Sequence, residues 1–196
     1  MPLLKGNLHA HTTFSDGRRP IHEVIASYRE LGYDFLAITD HDDRIGDDYW
    51  FHIPPSDAQM VILPGVELNY WSLSQHVGKV TGDRETLYVL NHPARYDLTV
   101  AETLRRIRVI TDAGYPIDAV EITDTGVYQP QYDVADLALP RIATDDSHRD
   151  AHIGRAWVEV DAARNPDAII RAIKAGAFRV GVASGSRASD GRGLEY

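Results

Sequence analysis

His9 and His11 stand two residues apart near the start of the chain, and Asp16 follows, directly before Gly17. A strand through residues 3–9 would alternate its side chains, so His9 and His11 would point to one side. Two imidazoles aimed at one point suit a transition metal such as zinc, iron, nickel or copper. An isolated His-x-His is also a common surface accident, so its meaning depends on what else the chain supplies. Further groups of the same chemical type recur: Asp40-His41, Glu67, His76, Asn91-His92 and Asp145-Asp146-Ser147-His148.

The elements that must position these groups follow from periodicity. Residues 3–9 read as a first strand, and residues 20–31 as a helix with Ile21, Val24, Ile25, Tyr28 and Leu31 on its buried face. Pro20 suits a first helical position and Gly32 a stop. The apolar run 35–39 reads as a strand covered on both faces. Strands are expected at 60–63, closed by Pro64-Gly65, and at 86–90, 119–122, 141–144 and 156–160, with an irregular or hairpin segment over 69–79 carrying His76. Helices are expected at 99–113, with Thr99 and Glu102 as a capping pair, at 165–175 with Asn165 as cap, and as a short piece at 132–139. Strand–helix alternation implies a parallel α/β architecture. The metal-type residues then fall just after strands, the rim on which α/β barrels carry their active sites.

Composition narrows the chemistry. The 196 residues read as one domain, residues 1–182, followed by a poorly ordered polar tail, residues 183–196. The absence of cysteine excludes disulfides, thiolate nucleophiles and Cys-ligated zinc, so any metal is held by His, Asp, Glu and water. A net charge of −9 argues against an extended nucleic-acid surface. No apolar run approaches a membrane span and no signal peptide is evident, so a cytoplasmic location is expected. Neither a Walker A motif nor a Gly-x-Ser-x-Gly elbow is present.

Taken in order, His9-Ala10-His11, Thr39-Asp40-His41, Pro64-Gly65-Val66-Glu67, Asn91-His92-Pro93 and Asp146-Ser147-His148 resemble the PHP superfamily, the polymerase and histidinol phosphatase metallohydrolases, from about residue 3 to residue 182. The small stand-alone metal-dependent phosphoesterases are the most similar branch. The resemblance implies a distorted seven-stranded β/α, TIM-like barrel with up to three metals at the C-terminal rim. It implies one metal on His9, His11, Glu67 and Asp146, a second on Glu67, His76 and His92, and a third on Asp16, His41 and His148. Many members carry histidine where this chain has Asp16. A carboxylate there is a harder ligand and favours manganese or iron over zinc, in a centre of two or three divalent ions. The chain is also short for a barrel, where about 250 residues is usual.

The implied activity is hydrolysis of a small phosphate mono- or diester by a hydroxide bridging the metals. Arg18 and Arg95 are candidate phosphate-binding groups, and Asp16 and His148 are candidates to assist the leaving group. The alternatives are a carbamate, carboxylic ester or amide hydrolase on the same site, a nuclease, and a non-catalytic metal-binding domain. Several residues carry two readings. Asp16 is also an ordinary turn residue. Asp40 reads as a partner of a ligand or a helix cap. Glu121 faces either the interior or solvent. Asp146 is preferred to Asp145 because Asp-x-His in an extended segment puts Asp146 and His148 on one side. His92 is expected to be held extended by Pro93. His22, His52 and His152 read as ordinary polar residues.

Overall fold

A computed structural model describes residues 3–186. The strands are β1 (Leu4–Asn7), β2 (Phe35–Ile38), β3 (Val61–Tyr70), β4 (Gln75–Thr81), β5 (Thr86–Leu90), β6 (Ala119–Glu121), β7 (Thr123–Asp124), β8 (Val127–Tyr128), β9 (Arg141–Ile142), β10 (Ala156–Val160) and β11 (Phe178–Val182). The α-helices are α1 (Ile21–Glu30), α2 (Tyr49–His52), α3 (Val100–Asp112) and α4 (Pro166–Lys174). Nine strands form one barrel-like sheet in the order β11-β10-β1-β2-β3-β4-β5-β6-β9, while β7 and β8 make a separate small hairpin. Pairing is parallel at β1–β2–β3 and β5–β6–β9, and antiparallel where β4 and the β10–β11 pair enter.

The end strands β11 and β9 are not hydrogen-bonded to each other, so the sheet is nearly rather than fully closed. At the rim, however, Ala10 and Ser147 form a parallel bridge, with the His11 N–H donating to the Ser147 carbonyl at 2.9 Å. β1 therefore pairs with β10 along its length and with the extension of β9 above it. β1 to β6 and β9 make a seven-strand ring at the level of the rim, the distorted β/α barrel that the sequence implies.

Alternation sorts the strand residues into layers. Leu4, Leu8, Phe35, Ala37, Val61, Leu63, Val80, Leu87, Val89, Ala119 and Ile142 pack in one cluster with Val158 and Val160. Helix α4 plugs the end opposite the rim, adding Ile169, Ile170 and Ile173 to that cluster. The other strand faces carry the helices: Leu36, Ile38 and Ile62 meet Val24, Ile25 and Tyr28 of α1, and Val77, Leu90, Val120 and Ile122 meet Ile110 of α3. The caps form as read. Thr99 accepts from the Glu102 N–H at 3.1 Å and Asn165 from the Ala168 N–H at 2.9 Å.

Five local expectations are corrected. Strand β3 does not stop at Pro64-Gly65. Pro64 lies where pairing to β2 ends, and the chain runs on to Tyr70 paired with β4. The 132–139 segment is not a helix. A 3₁₀ turn, Pro130–Tyr132, precedes it, and tertiary partners hold it, with Tyr132 donating to the Leu98 carbonyl at 2.6 Å and Asp133 accepting from Tyr128 and Arg141. A piece that short gains too little from helix formation to resist such contacts. Pro20 caps α1 rather than entering it, and Leu31 is exposed. Strand β11 is not among the strands expected from the sequence, and Gly181 interrupts its side chains. The indole of Trp157 lies 2.1 Å from where a Cβ would sit, so this glycine admits the ring. Residues 183–186 are tied in, with the Ala183 N–H donating to Arg155 and the Tyr128 N–H to Ser186. The rest of the expected tail, 187–196, lies outside the described residues. No helix among the described residues is long and apolar enough to cross a membrane.

Gly6 gives a direct test of the interior. A Cβ there would lie 2.2 Å from the ring of fully buried Phe35. Gly6→Ala is expected to lower stability by about 1–3 kcal/mol through overpacking, read as a lower urea midpoint at unchanged slope. A Gly6→Ala chain as stable as the wild type contradicts this packing.

Candidate metal centre

Every strand-end group emerges at one rim. His9 and His11 follow β1, His41 follows β2, and Asp146 and His148 follow β9. Glu67 lies inside β3 but level with the same rim, since it bridges His41 in parallel register. Its alternation with Val61 and Leu63 turns it inward. β4 runs the opposite way, so its start reaches the rim, and Asn69 pairs with His76 there.

Glu67 is the hub. Its carboxylate is fully buried. Oε1 lies 3.3 Å from His9 Nε2, 3.2 Å from His76 Nδ1 and 2.9 Å from His92 Nε2, and it accepts from Asn91 Nδ2 at 2.8 Å. Oε2 lies 3.4 Å from His11 Nε2 and 3.2 Å from His41 Nδ1. The Nε2 atoms of His9 and His11 approach to 3.0 Å, and Asp146 Oδ1 lies 3.3 and 3.2 Å from them.

A second group adjoins this one. Asp16 Oδ1 lies 3.3 Å from His148 Nε2 and its Oδ2 3.4 Å from His41 Nε2. The loop carrying Asp16 is pinned by buried Asp40, which accepts from the Thr12 N–H at 2.8 Å, the Thr12 hydroxyl at 2.8 Å and the Ser15 hydroxyl at 2.6 Å. Asp40 thus neither touches a ligand candidate directly nor caps a helix; it acts on the loop between His11 and Asp16. Four sets of donors lie close enough to share an ion: His9-Glu67-His92, His9-His11-Asp146, His41-Glu67-His76 and His11-Asp16-His41-His148. All nine sequence-chosen ligand candidates fall in these sets. Asp16, His148 and His76, at 30%, 21% and 19% side-chain exposure, mark the open side.

Two backbone expectations are overturned. His92 is not extended before Pro93 but has φ 25° and ψ 64°. In a regular strand Asn91 and His92 would face opposite ways, whereas the left-handed turn brings both to Glu67 Oε1. Asp146 is also left-handed, at φ 44°, so it shares a side with His148 by a turn and not by extension. Non-glycine residues in this region are strained and persist where surrounding contacts over-determine them. Asp145 faces away, accepting from Tyr28 at 2.9 Å and from the N–H groups of Gly154 and Ala156 at 2.6 and 2.7 Å, and burial pushes its carboxyl up to about 6.

Glu121 faces inward. It is buried beside His9, accepts the His92 N–H at 2.7 Å, and takes the Thr144 hydroxyl. Arg95 contacts Asp146 and, at 2.6 Å, Asp124, and its Nη1 lies 3.4 Å from His92 Nε2. Arg18 instead lines a surface groove with Arg19, Arg149, Asp150 and Ala151, which none of the clustered residues lines. The sequence assigns no role to Arg44, whose Nη1 donates to Asp16 at 2.9 Å, and names Asn91 only beside His92. Asn91 carried a signal as the neighbour of His92, but Arg44 carried none. His22 and His52 lie apart from the donor sets. His152 is buried and accepts from Arg149 at 2.7 Å, outside the donor sets.

The electrostatics are those of a preformed cation site. Burial pushes the Glu67 and Asp146 carboxyls up, but His9 and its neighbouring imidazoles overcome this and hold both well below the usual carboxylate range. Burial likewise pushes His9 down, while Glu67, Asp146 and Glu121 hold it well above ordinary imidazole. Glu67 Oε2, His76 Nδ1, His92 Nδ1 and Asp146 Oδ1 are buried without a hydrogen-bond partner. Such orphans cost about 1–3 kcal/mol each and call for an explanation. Their nature, imidazole nitrogens and carboxylate oxygens, fits divalent-cation ligation.

The comparisons agree with this geometry. Residues 38 long in this chain, 19% of it, are 47% identical to the DNA polymerase/3′-5′ exonuclease PolX of Bacillus subtilis (strain 168), and the match spans only 7% of that polymerase. The fold is similar to the crystal structure of a two-domain protein from Bacteroides vulgatus ATCC 8482 containing a predicted PHP-like metal-dependent phosphoesterase, with a TM-score of 0.67 at 17% identity over 92% of this chain and 65% of that one. It is also similar to PsfC from Pseudomonas syringae PB-5123, with a TM-score of 0.69 at 17% identity over 95% of this chain and 94% of that one. The family model of the PHP domain matches residues 7–175. The chain therefore belongs to the PHP-domain family.

Proposed function

We propose that this chain hydrolyses small phosphate esters, mono- or diesters, at a centre of two or three divalent ions. The observation that carries the reading is one buried carboxylate, that of Glu67, within reach of five imidazoles, with orphaned ligand atoms around it. His9, His11, Glu67 and Asp146 would hold one ion, Glu67, His76 and His92 a second, and Asp16, His41 and His148 a third. Asp16 tilts the third position towards manganese or iron. Bound ions supply an activated water and neutralise charge on phosphoryl oxygens.

The chain's own groups supply the rest. Arg95 is the stronger of the two phosphate-binding candidates, because its guanidinium already reaches the cluster and would meet a phosphoryl oxygen in bidentate fashion. Arg18, in its separate groove, would serve only a second anionic part of a longer substrate. Arg44, half exposed beside Asp16, extends positive charge along the open side. As water's oxygen bonds to phosphorus, the ester P–O bond breaks and the leaving alkoxide needs a proton. His148 Nε2, partly exposed and 3.3 Å from Asp16, would give it when the third position is empty.

The test is metal content together with turnover. After incubation with manganese, iron or zinc, the chain is expected to retain at least one ion and to cleave p-nitrophenyl phosphate or its bis-ester faster than p-nitrophenyl acetate or an aryl carbamate. Faster carbamate or acetate cleavage would move the assignment to acyl substrates. Binding without turnover of any would make it a non-catalytic domain, and preferential degradation of single-stranded DNA would make it a nuclease. Glu67→Gln is expected to lose metal and to lower kcat by more than about 100-fold, above the effect of removing a ligand's supporting partner. Arg95→Met is expected to raise KM for the phosphate ester by about tenfold, near 1.4 kcal/mol, with less effect on kcat. An unchanged KM removes Arg95 from substrate binding.

A further inference from the structure

Glu121 is a buried carboxylate with no place among the proposed ligands. Its Oε1 lies 3.3 Å from His9 Nδ1 and takes the Thr144 hydroxyl, and its Oε2 accepts the His92 backbone N–H at 2.7 Å. It is 1% exposed, and among the described residues these are its polar partners. His9 and His92 share one donor set with Glu67, and His9 also belongs to the set with His11 and Asp146.

An ionised carboxylate only accepts. A neutral His9 facing it must therefore carry its proton on Nδ1, which leaves the Nε2 lone pair directed at His11, Glu67 and Asp146. The other oxygen meanwhile holds the N–H of a residue whose backbone is left-handed. We propose that Glu121 is a positioning residue that fixes the tautomer of His9 and, through the same carboxylate, the strained backbone of His92. One side chain then orients two ligands that come from different strands. This rests on the reading of the cluster as a metal centre.

Glu121→Gln separates the two ends of the carboxylate. The His92 N–H requires an acceptor, so the amide oxygen must take the Oε2 position. The amide nitrogen then faces His9 Nδ1 and donates to it, moving the imidazole proton to Nε2, where it blocks ligation. Manganese affinity of the variant is expected to fall about 10- to 100-fold, the usual effect of losing a partner that orients a metal-bound histidine. Long-range ¹H–¹⁵N spectra of the zinc-titrated wild type are expected to show the His9 proton on Nδ1, and those of the variant on Nε2, a change that a purely structural role would not produce. Glu121→Asp keeps an acceptor and is expected to keep the proton on Nδ1 with a smaller loss of affinity. It decides the matter if the glutamine variant does not fold, since unchanged manganese affinity in it overturns the inference. A folded glutamine variant with wild-type tautomer or affinity overturns it as well. A wild-type chain that takes up neither manganese nor zinc overturns the metal-centre reading instead.

Discussion

A carboxylate fully removed from water and surrounded by imidazoles is the constraint from which the rim is built. Isolated, the Glu67 anion would bear a desolvation penalty of several kcal/mol. It stays ionised because five rings converge on it from three strand ends and the start of a hairpin strand, with Asn91 satisfying one further lone pair. The arrangement works only if β3 continues past Pro64 and β4 folds back to present His76 from the same end. The antiparallel insertion in an otherwise parallel half-barrel therefore has a chemical purpose: it lets a sixth chain segment reach the rim.

Groups that are not ligand candidates carry much of the precision. Asp40 fixes the loop that delivers Asp16, and Asp145 anchors the turn before β10 while Asp146 points the other way. Tyr28 of α1 joins Asn7, Asp145 and Ser147 behind the centre, so a helix on the outer face is hydrogen-bonded to both the first and the last ligand loops. Left-handed His92 and Asp146 place adjacent residues where a regular strand could not.

Much of this was legible because the ligand-type residues sit where alternation breaks off, at the ends of short apolar runs. His9, His11, His41, Glu67, His92, Asp146 and His148 needed no knowledge of tertiary contacts to be singled out, and His76 and Asp16 needed only the family pattern. The direction of Glu121 was also encoded, since Ala119 and Glu121 share a parity opposite to Val120 and Ile122. What could not be read was set at long range. The backbone of His92 is decided by Glu121, 29 residues away, against the local preference of a residue before proline. Strand β11 depends on the ring of Trp157 filling the space above Gly181. Arg44 lies in a polar loop whose composition points nowhere.

The ring of strands is joined at the rim by the bridge between Ala10 and Ser147, residues far apart in the sequence. That seam has a consequence for how the molecule comes into being. Of the ligand segments the first, His9 to Asp16, has no complete partner set until Asp146 and His148 have followed it. Joining segments so far apart in sequence carries a loop-closure cost. The candidate cation pocket is complete only once that closure is made, so an ion held there would stabilise the closed ring.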